Sequence, residues 1–155
     1  MKNTVFEEGN ILFLERLGIP YATVRLSENI LKHSIFDANM AIRSFMRNNG
    51  LHDYEQQGLG TEFKVFLKTQ ILTFKRSIET NTSLYRARTR GDCRMWFGSI
   101  INKFCDPDDL FIITAIDKVL YTINISKLDL DLCYTTSYMN PIKELLAKLI
   151  NIDSV

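Results

Sequence analysis

Histidine and cysteine are scarce in this chain, at two and three residues, and they are dispersed along it. Without a CxxC or HxxxH pair, neither a zinc knuckle nor a redox motif is supported. The odd, sparse thiols (Cys93, Cys105 and Cys133) fit a reducing cytosol. No apolar run reaches ~18 residues, so no membrane span is expected. The N-terminus carries Glu7 and Glu8 and lacks an apolar signal region, and a cytoplasmic location is expected. The patterns GxxxxGK[ST], GxGxxG, GxSxG and HExxH are missing. Nucleotide hydrolysis, dinucleotide binding and the common hydrolase chemistries therefore lack support. There is no internal repeat and no low-complexity tract.

What remains is a chain of 155 residues, 46% hydrophobic and 24% charged, which suits one globular domain rather than a disordered segment. Net charge is +1, so the molecule as a whole is no polycation. Its charge is unevenly distributed, however. Residues 74–96 hold six basic side chains (Lys75, Arg76, Arg86, Arg88, Arg90, Arg94) against Glu79 and Asp92, a local balance of +4 that leaves the remainder at −3. A basic stripe on a near-neutral body is the pattern expected of a nucleic-acid reader.

Within that stripe Arg86, Arg88 and Arg90 stand at every second position, and in an extended segment alternate residues share a face. Gly91-Asp92 then supplies a turn, and Arg94 and Trp96 lie on the return limb. Arginine's planar fork suits guanine edges and phosphates. The bland alternative is a solvated strand face, a purpose that scattered lysines and glutamates serve better than clustered arginines. Trp96 and Phe97 read most simply as core aromatics.

A second polar segment, 48–60, is too long for a simple turn, and such loops are uncommon unless they have a task. Asn49, His52, Tyr54, Gln56 and Gln57 are side chains able to read base edges or grip phosphates; the competing reading is a mobile surface loop. Lys64, Lys68, Lys75 and Arg76 suit backbone anchoring.

The enzymatic rival is a metal-dependent nuclease. Glu62-Phe63-Lys64 has the E-x-K form, with Asp53 upstream as a second carboxylate, and magnesium sites do place carboxylates beside a polarising lysine. E-x-K arises by chance in most chains of this length. Asp106-Pro107-Asp108-Asp109 lies before an apolar run, where acidic turn residues are routine.

Between these segments the pattern is that of short strands. Residues 11–14 form a strand or helical turn ending at Gly18 and Pro20, and 21–26 alternates as a strand. Residues 37–48 read as a helix with Asp37 as N-cap and a face of Met40, Ala41 and Phe45, joined by Ile42 and Met46, with Gly50 just beyond its end. Strands are expected at 63–67 and 71–74. Residues 110–116 and 119–125, joined by Asp117-Lys118, form a hairpin. Asn140-Pro141 opens a C-terminal helix with an apolar stripe of Ile142, Leu145, Leu146, Leu149 and Ile150. The fold class is mainly β with flanking helices, closed as a curved sheet or small barrel.

Two stretches carry a resemblance. Residues 49–68 (Asn49-Gly50-Leu51-His52-Asp53-Tyr54-Glu55-Gln56-Gln57-Gly58-Leu59-Gly60, then a strand holding Lys64 and Lys68) and residues 85–97 (Tyr85-Arg86-Ala87-Arg88-Thr89-Arg90-Gly91-Asp92-Cys93-Arg94-Met95-Trp96-Phe97) resemble the N-arm and C-arm of one family. This is the DNA-binding pseudobarrel shared by plant B-three transcription factors and the effector domains of the restriction endonucleases EcoRII and BfiI. With the 110–125 hairpin as closing strands, the resemblance covers residues ~45 to ~126. It implies a barrel of about seven strands, with a core at 20–135, an N-terminal segment 1–19 and a helix 140–152, within a single domain spanning 1–155. Its two arms would grip the major groove of double-stranded DNA. The implied contacts are Asn49, His52, Tyr54, Gln56, Gln57 and Lys64 from one arm and Arg86, Arg88, Arg90, Asp92 and Arg94 from the other, with Lys75 and Arg76 beside them. Within the family the chain is most similar to the N-terminal specificity domain of LlaJI-type restriction subunits. That likeness implies a non-catalytic reader without a cofactor of its own, preceding an McrB-like GTPase motor that works with an McrC-like nuclease subunit. GTP and magnesium would serve those other parts. The alternatives kept beside it are the Glu62/Lys64 nuclease and a PUA-like reader of RNA or modified bases.

Overall fold

The computed structural model describes residues 4–152. Its strands are β1 (Ala22–Leu26), β2 (Phe36–Asp37), β3 (Val65–Leu72), β4 (Ser77–Arg86), β5 (Cys93–Trp96), β6 (Asp109–Ile116) and β7 (Val119–Asn124). They form one mixed sheet in the order β1-β6-β7-β3-β4-β5-β2, curled into a half-barrel. Every neighbouring pair is antiparallel except β3 and β7, which run parallel over four register pairs beginning at Thr69 and Leu120. Strands β1 and β2 remain as the two edges. The mainly β fold expected from the sequence is what the structure has.

The β6–β7 hairpin follows its sequence closely. Asp117 and Lys118 both take positive φ (51° and 66°), which gives the two-residue turn whose twist matches that of the flanking strands. Phe111, Ile113 and Leu120 face the interior of the curl, while Ile112 and Ile123 face the helices outside it. Burial on both faces explains why this pair reads as nearly continuous apolar sequence.

The two short strands expected at 63–67 and 71–74 are one strand, β3. Residues Thr61–Phe63 coil into a 3-10 turn before it. After it the chain reverses where Thr73 Oγ1 accepts hydrogen bonds from the amides of Lys75 and Arg76.

The helices correct the sequence reading in three places. The segment expected as a strand or single turn at 11–14 belongs to α1 (Thr4–Leu17). Gly18 ends it at φ 68°, while the amides of Gly18 and Ile19 return to the carbonyls of Glu15 and Leu14 at 3.1 and 3.2 Å. This Schellman closure is open to glycine because it has no Cβ to strain there. A short helix, α2 (Glu28–His33), stands where only an interruption was legible, capped by Ser27 Oγ on the Ile30 amide. The helix expected from Asp37 is α3 (Met40–Asn48), and its N-cap is Asn39, whose Oδ1 accepts from the Ile42 amide at 3.0 Å. Asp37 belongs to β2 instead, opposite Arg94. Ile42, Phe45 and Met46 form the buried face, and Met40 and Ala41 face solvent.

A short helix α4 (Leu130–Thr135) precedes α5 (Pro141–Ile152), whose start at Asn140-Pro141 is as expected: Asn140 Oδ1 accepts from the Lys143 amide at 2.8 Å. Helices α1, α4 and α5 pack Leu14, Leu130, Ile142 and Leu146 onto the outer face of β6 and β7. The concave face holds a separate core around Phe36, Phe97 and Phe111. Among the described residues, no helix is long and apolar enough to cross a membrane.

One charged cluster ties the helical layer to the sheet. Glu7 on α1 is 5% exposed and accepts from Arg25 Nη2 at 2.8 Å and from Ser126 Oγ at 2.6 Å. The Arg25 hydrogen bond holds the Glu7 carboxyl below its ordinary value of 4.5 despite its burial. A carboxylate with a depressed folded pKa stabilises the fold above its unfolded pKa and ceases to do so as pH falls through the folded one. Glu7→Gln should therefore cost about 2 kcal/mol near neutrality. That difference from the parent should shrink progressively as denaturant titrations are repeated below about pH 4.5.

Candidate nucleic-acid interface

The segment that follows α3 is a stitched loop rather than a mobile one. Leu51 and Tyr54 are buried beneath it, and Tyr54, at 3% exposed, donates its hydroxyl to the Arg94 carbonyl at 3.0 Å. The ring of His52 stands edge-on to Tyr54, with centroids 4.5 Å apart, and its Nε2 lies 3.0 Å from Gln57 Oε1. Burial pushes the His52 imidazole below its ordinary value and so favours the neutral ring, against the opposing pull of its Gln57 hydrogen bond. Gln57 Nε2 donates to the carbonyls of Phe63 and Leu84 at 3.0 and 2.9 Å, binding the loop to β4. Asn49 closes α3 by donating to the Phe45 carbonyl. Of the residues expected to contact DNA from this loop, Asn49, His52, Tyr54 and Gln57 hold intramolecular partners in the structure. Their polar groups pair with one another and with carbonyls on α3, β4 and β5, because carbonyls buried where a long segment packs on a sheet end must find donors. Gln56 is the exposed member of the set, and among the described residues its side chain makes no hydrogen bond.

The arginine segment differs from a simple alternating strand in a similar way. Strand β4 ends at Arg86, and residues 88–90 form a turn. The Gly91 amide returns to the Ala87 carbonyl and the Ala87 amide to the Asp92 carbonyl, both at 2.8 Å. Gly91 sits buried at φ 72°, a conformation that strains any residue with a Cβ. The turn rotates its side chains out of register, so Arg86, Arg88 and Arg90 do not share one strand face. Arg86 folds back, its Nε donating to the Gly91 carbonyl at 2.9 Å. Arg88 forms an ion pair with Glu62. Arg90 is exposed at the tip, and among the described residues it has neither a hydrogen bond nor an ion pair. Arg94 lies on β5 between Asp92 and Asp37, its Nη2 3.2 Å from one carboxylate and its Nε 3.3 Å from the other. The second contact is outside hydrogen-bond geometry, so Arg94 Nε is buried without a hydrogen-bond partner.

These two segments meet. Leu59 forms a parallel bridge to Arg86, the Gly60 amide donates to the Arg86 carbonyl at 2.8 Å, and Glu62 holds Arg88. Gln56, Lys64, Arg88 and Arg90 thereby border one end of the sheet, with Lys64 Nζ 5.0 Å from the Tyr85 ring centroid. Lys75 and Arg76 do not join them. They occupy the β3–β4 turn at the far end of β4, about 30 Å away at a strand's rise per residue, and Arg76 lies over Phe104. The single basic stripe expected from residues 74–96 is therefore two separate patches.

The elements of the nuclease reading are also placed. Glu62 pairs with Arg88, Lys64 lies against Tyr85, and Asp53 Oδ1 accepts from the Glu55 amide at 3.0 Å. Among the described residues no group of three His, Cys, Asp or Glu side chains is placed to hold a metal ion. Phe63 and Phe66, given no role by the sequence, are both more than half exposed, at the end of the 49–64 loop and on the strand that follows it. The alternation Lys64, Phe66, Lys68 was the available signal. Comparison of the chain with protein-family models, curated proteins and solved structures finds no match.

Proposed function

We propose that this chain binds double-stranded DNA site-specifically, with the loop 49–64 and the turn 86–94 acting as a pair of major-groove arms. The observation that carries the reading is the junction of those arms. Two polar segments remote in sequence are fastened together through Leu59, Gly60 and Glu62 onto Arg86 and Arg88, and the fastening leaves Arg90 and Gln56 unengaged at the surface. A rigid support beneath exposed arginine is what base-edge recognition requires, because a bidentate contact with guanine tolerates little error in direction. Glu62 has a distinct part in this reading. It neutralises Arg88 in the free protein and must release it when the guanidinium meets a phosphate or a base.

Glu62→Gln should then bind duplex roughly two- to five-fold more tightly, since an exposed ion pair no longer competes. Its salt dependence should be steeper by about one unit. Selection from a random duplex library at fixed salt supplies the probe, and gel electrophoresis of the bound DNA checks that it remains uncut with magnesium present. Magnesium-dependent cleavage that disappears in Glu62→Gln and Lys64→Ala would establish the nuclease instead. A preference for structured RNA over every selected duplex would favour the PUA-like reader. Placement as the specificity module of a restriction system, ahead of an McrB-like motor and working with an McrC-like nuclease, rests on the resemblance of the two arms. In that arrangement α5 would lead toward the motor.

A further inference from the structure

The first half of β3 is a strand with one neighbour. Strand β7 pairs only with residues 69–72, so residues 65–68 have β4 on one side and no strand on the other. Leu67 and Ile71 pack into the concave core, which turns Phe66, Lys68 and Gln70 to the outer face. Helices α1, α4 and α5 do not cover that face: Leu72 is the only β3 residue in the core they form, and β4 contributes none. Phe66 is consequently 63% exposed. It pairs with Ser83 across the ladder, which places Tyr85 at its diagonal, within reach of a shared ligand. Lys64 and Lys68 flank it at alternate positions, roughly 13 Å apart along the strand. The one acid on the outer face of this hairpin, Glu79, lies beyond them opposite Gln70.

An aromatic ring between two lysines, bare on a sheet face, matches one ligand chemistry well. Unpaired nucleobases stack on exposed rings with little regard to sequence, and their phosphates track the flanking cations. We propose that this face binds the unpaired bases of a DNA strand continuing from the duplex held by the arms, with Phe66 as the stacking platform. The inference rests on the duplex-binding reading for the strand's origin, shares Lys64 with it, and turns on Phe66, which that reading leaves idle. A second copy of this chain adding itself to the free β3 edge is the less favoured occupant, because it would bring Lys64 and Lys68 against their own duplicates.

The test compares the selected blunt duplex with the same duplex carrying a short oligo-dT overhang, by fluorescence anisotropy at fixed salt. The parent should bind the overhang form roughly ten-fold more tightly. Phe66→Ala should abolish that gain and leave blunt-duplex affinity unchanged, Phe66→Trp should keep it, and Phe66→Leu should lose most of it. Being solvent-facing, Phe66 can be replaced without harm to the core, and unchanged circular dichroism verifies this. An undiminished gain in Phe66→Ala, or full retention in Phe66→Leu, would overturn the stacking role. An equal gain from an oligo-rU overhang would overturn its assignment to DNA. A dimer in sedimentation that dissolves in Phe66→Ala, with overhang binding untouched, would show the face to be a self-association surface. If no duplex is bound at all while oligo-dT still binds through Phe66, the arm reading and the strand's origin in a held duplex fail together, and the stacking role of Phe66 stands.

Discussion

Replacing Arg90 with alanine should reduce affinity for the preferred duplex roughly ten- to hundred-fold, the worth of about 1–3 kcal/mol for a bidentate arginine–guanine contact. Scrambled duplexes should lose much less, because a phosphate contact adds affinity without discrimination. The melting temperature should not change, since the Arg90 side chain makes no hydrogen bond or ion pair among the described residues. Lysine at this position should fail to restore the loss, keeping the charge but not the planar fork. Arg86→Ala provides the contrast. Its guanidinium secures the Gly91 carbonyl, so that change should lower both stability and binding, and on all duplexes alike. The measurements are anisotropy titrations on specific and scrambled DNA beside thermal melts. Full binding by Arg90→Lys would reduce the turn to a source of charge.

Asn10→Ala should be among the most damaging single substitutions in the chain, at about 3–5 kcal/mol. Asn10 is 2% exposed, and its amide group donates to the carbonyls of Ile125 and Leu128 at 2.9 and 2.8 Å while accepting from the Leu130 amide at 2.8 Å. One short side chain thus satisfies three main-chain groups where the chain leaves β7 for α4. Removing it strands all three away from water. Asn10→Asp should be nearly as harmful, since a carboxylate has no donor for the two carbonyls. Chemical denaturation gives the figure directly, and a loss under 1 kcal/mol would mean that water replaces the amide.

Where local chemistry and tertiary demand agreed, the sequence was readable. The 110–125 hairpin shows its β-branched runs and two-residue turn, and α5 shows its Asn-Pro entry and apolar stripe. The first part of β4, residues 77–83, was hidden because its concave face uses threonine as well as aliphatic residues. Thr82 is fully buried there with its hydroxyl 2.6 Å from that of Thr69, so the alternation is one of shape rather than of hydrophobicity. The residues of the 49–64 loop and the 86–94 turn were legible as polar and unusual. Their division into supports and exposed groups was not, because Gln57 and Tyr54 find partners at Leu84 and Arg94, far off in sequence. The spacing of Arg86, Arg88 and Arg90 misled for a narrower reason: alternation orders side chains only while the backbone stays extended, and the turn at residues 88–90 ends that condition.

The parallel pairing of β3 with β7 bears on how the chain comes together in time. The β6–β7 ladder closes over a two-residue turn and the β3–β4 ladder over a four-residue one, so both can zip within microseconds. Thr69 and Leu120, by contrast, lie 51 positions apart, and no hairpin brings them together. Loop-closure entropy must be met before that contact returns anything, which makes this seam a late event on the folding route. Until it closes, two finished ribbons each show a naked strand edge to solvent, and the interval before their union is when the nascent chain is most exposed to aggregation.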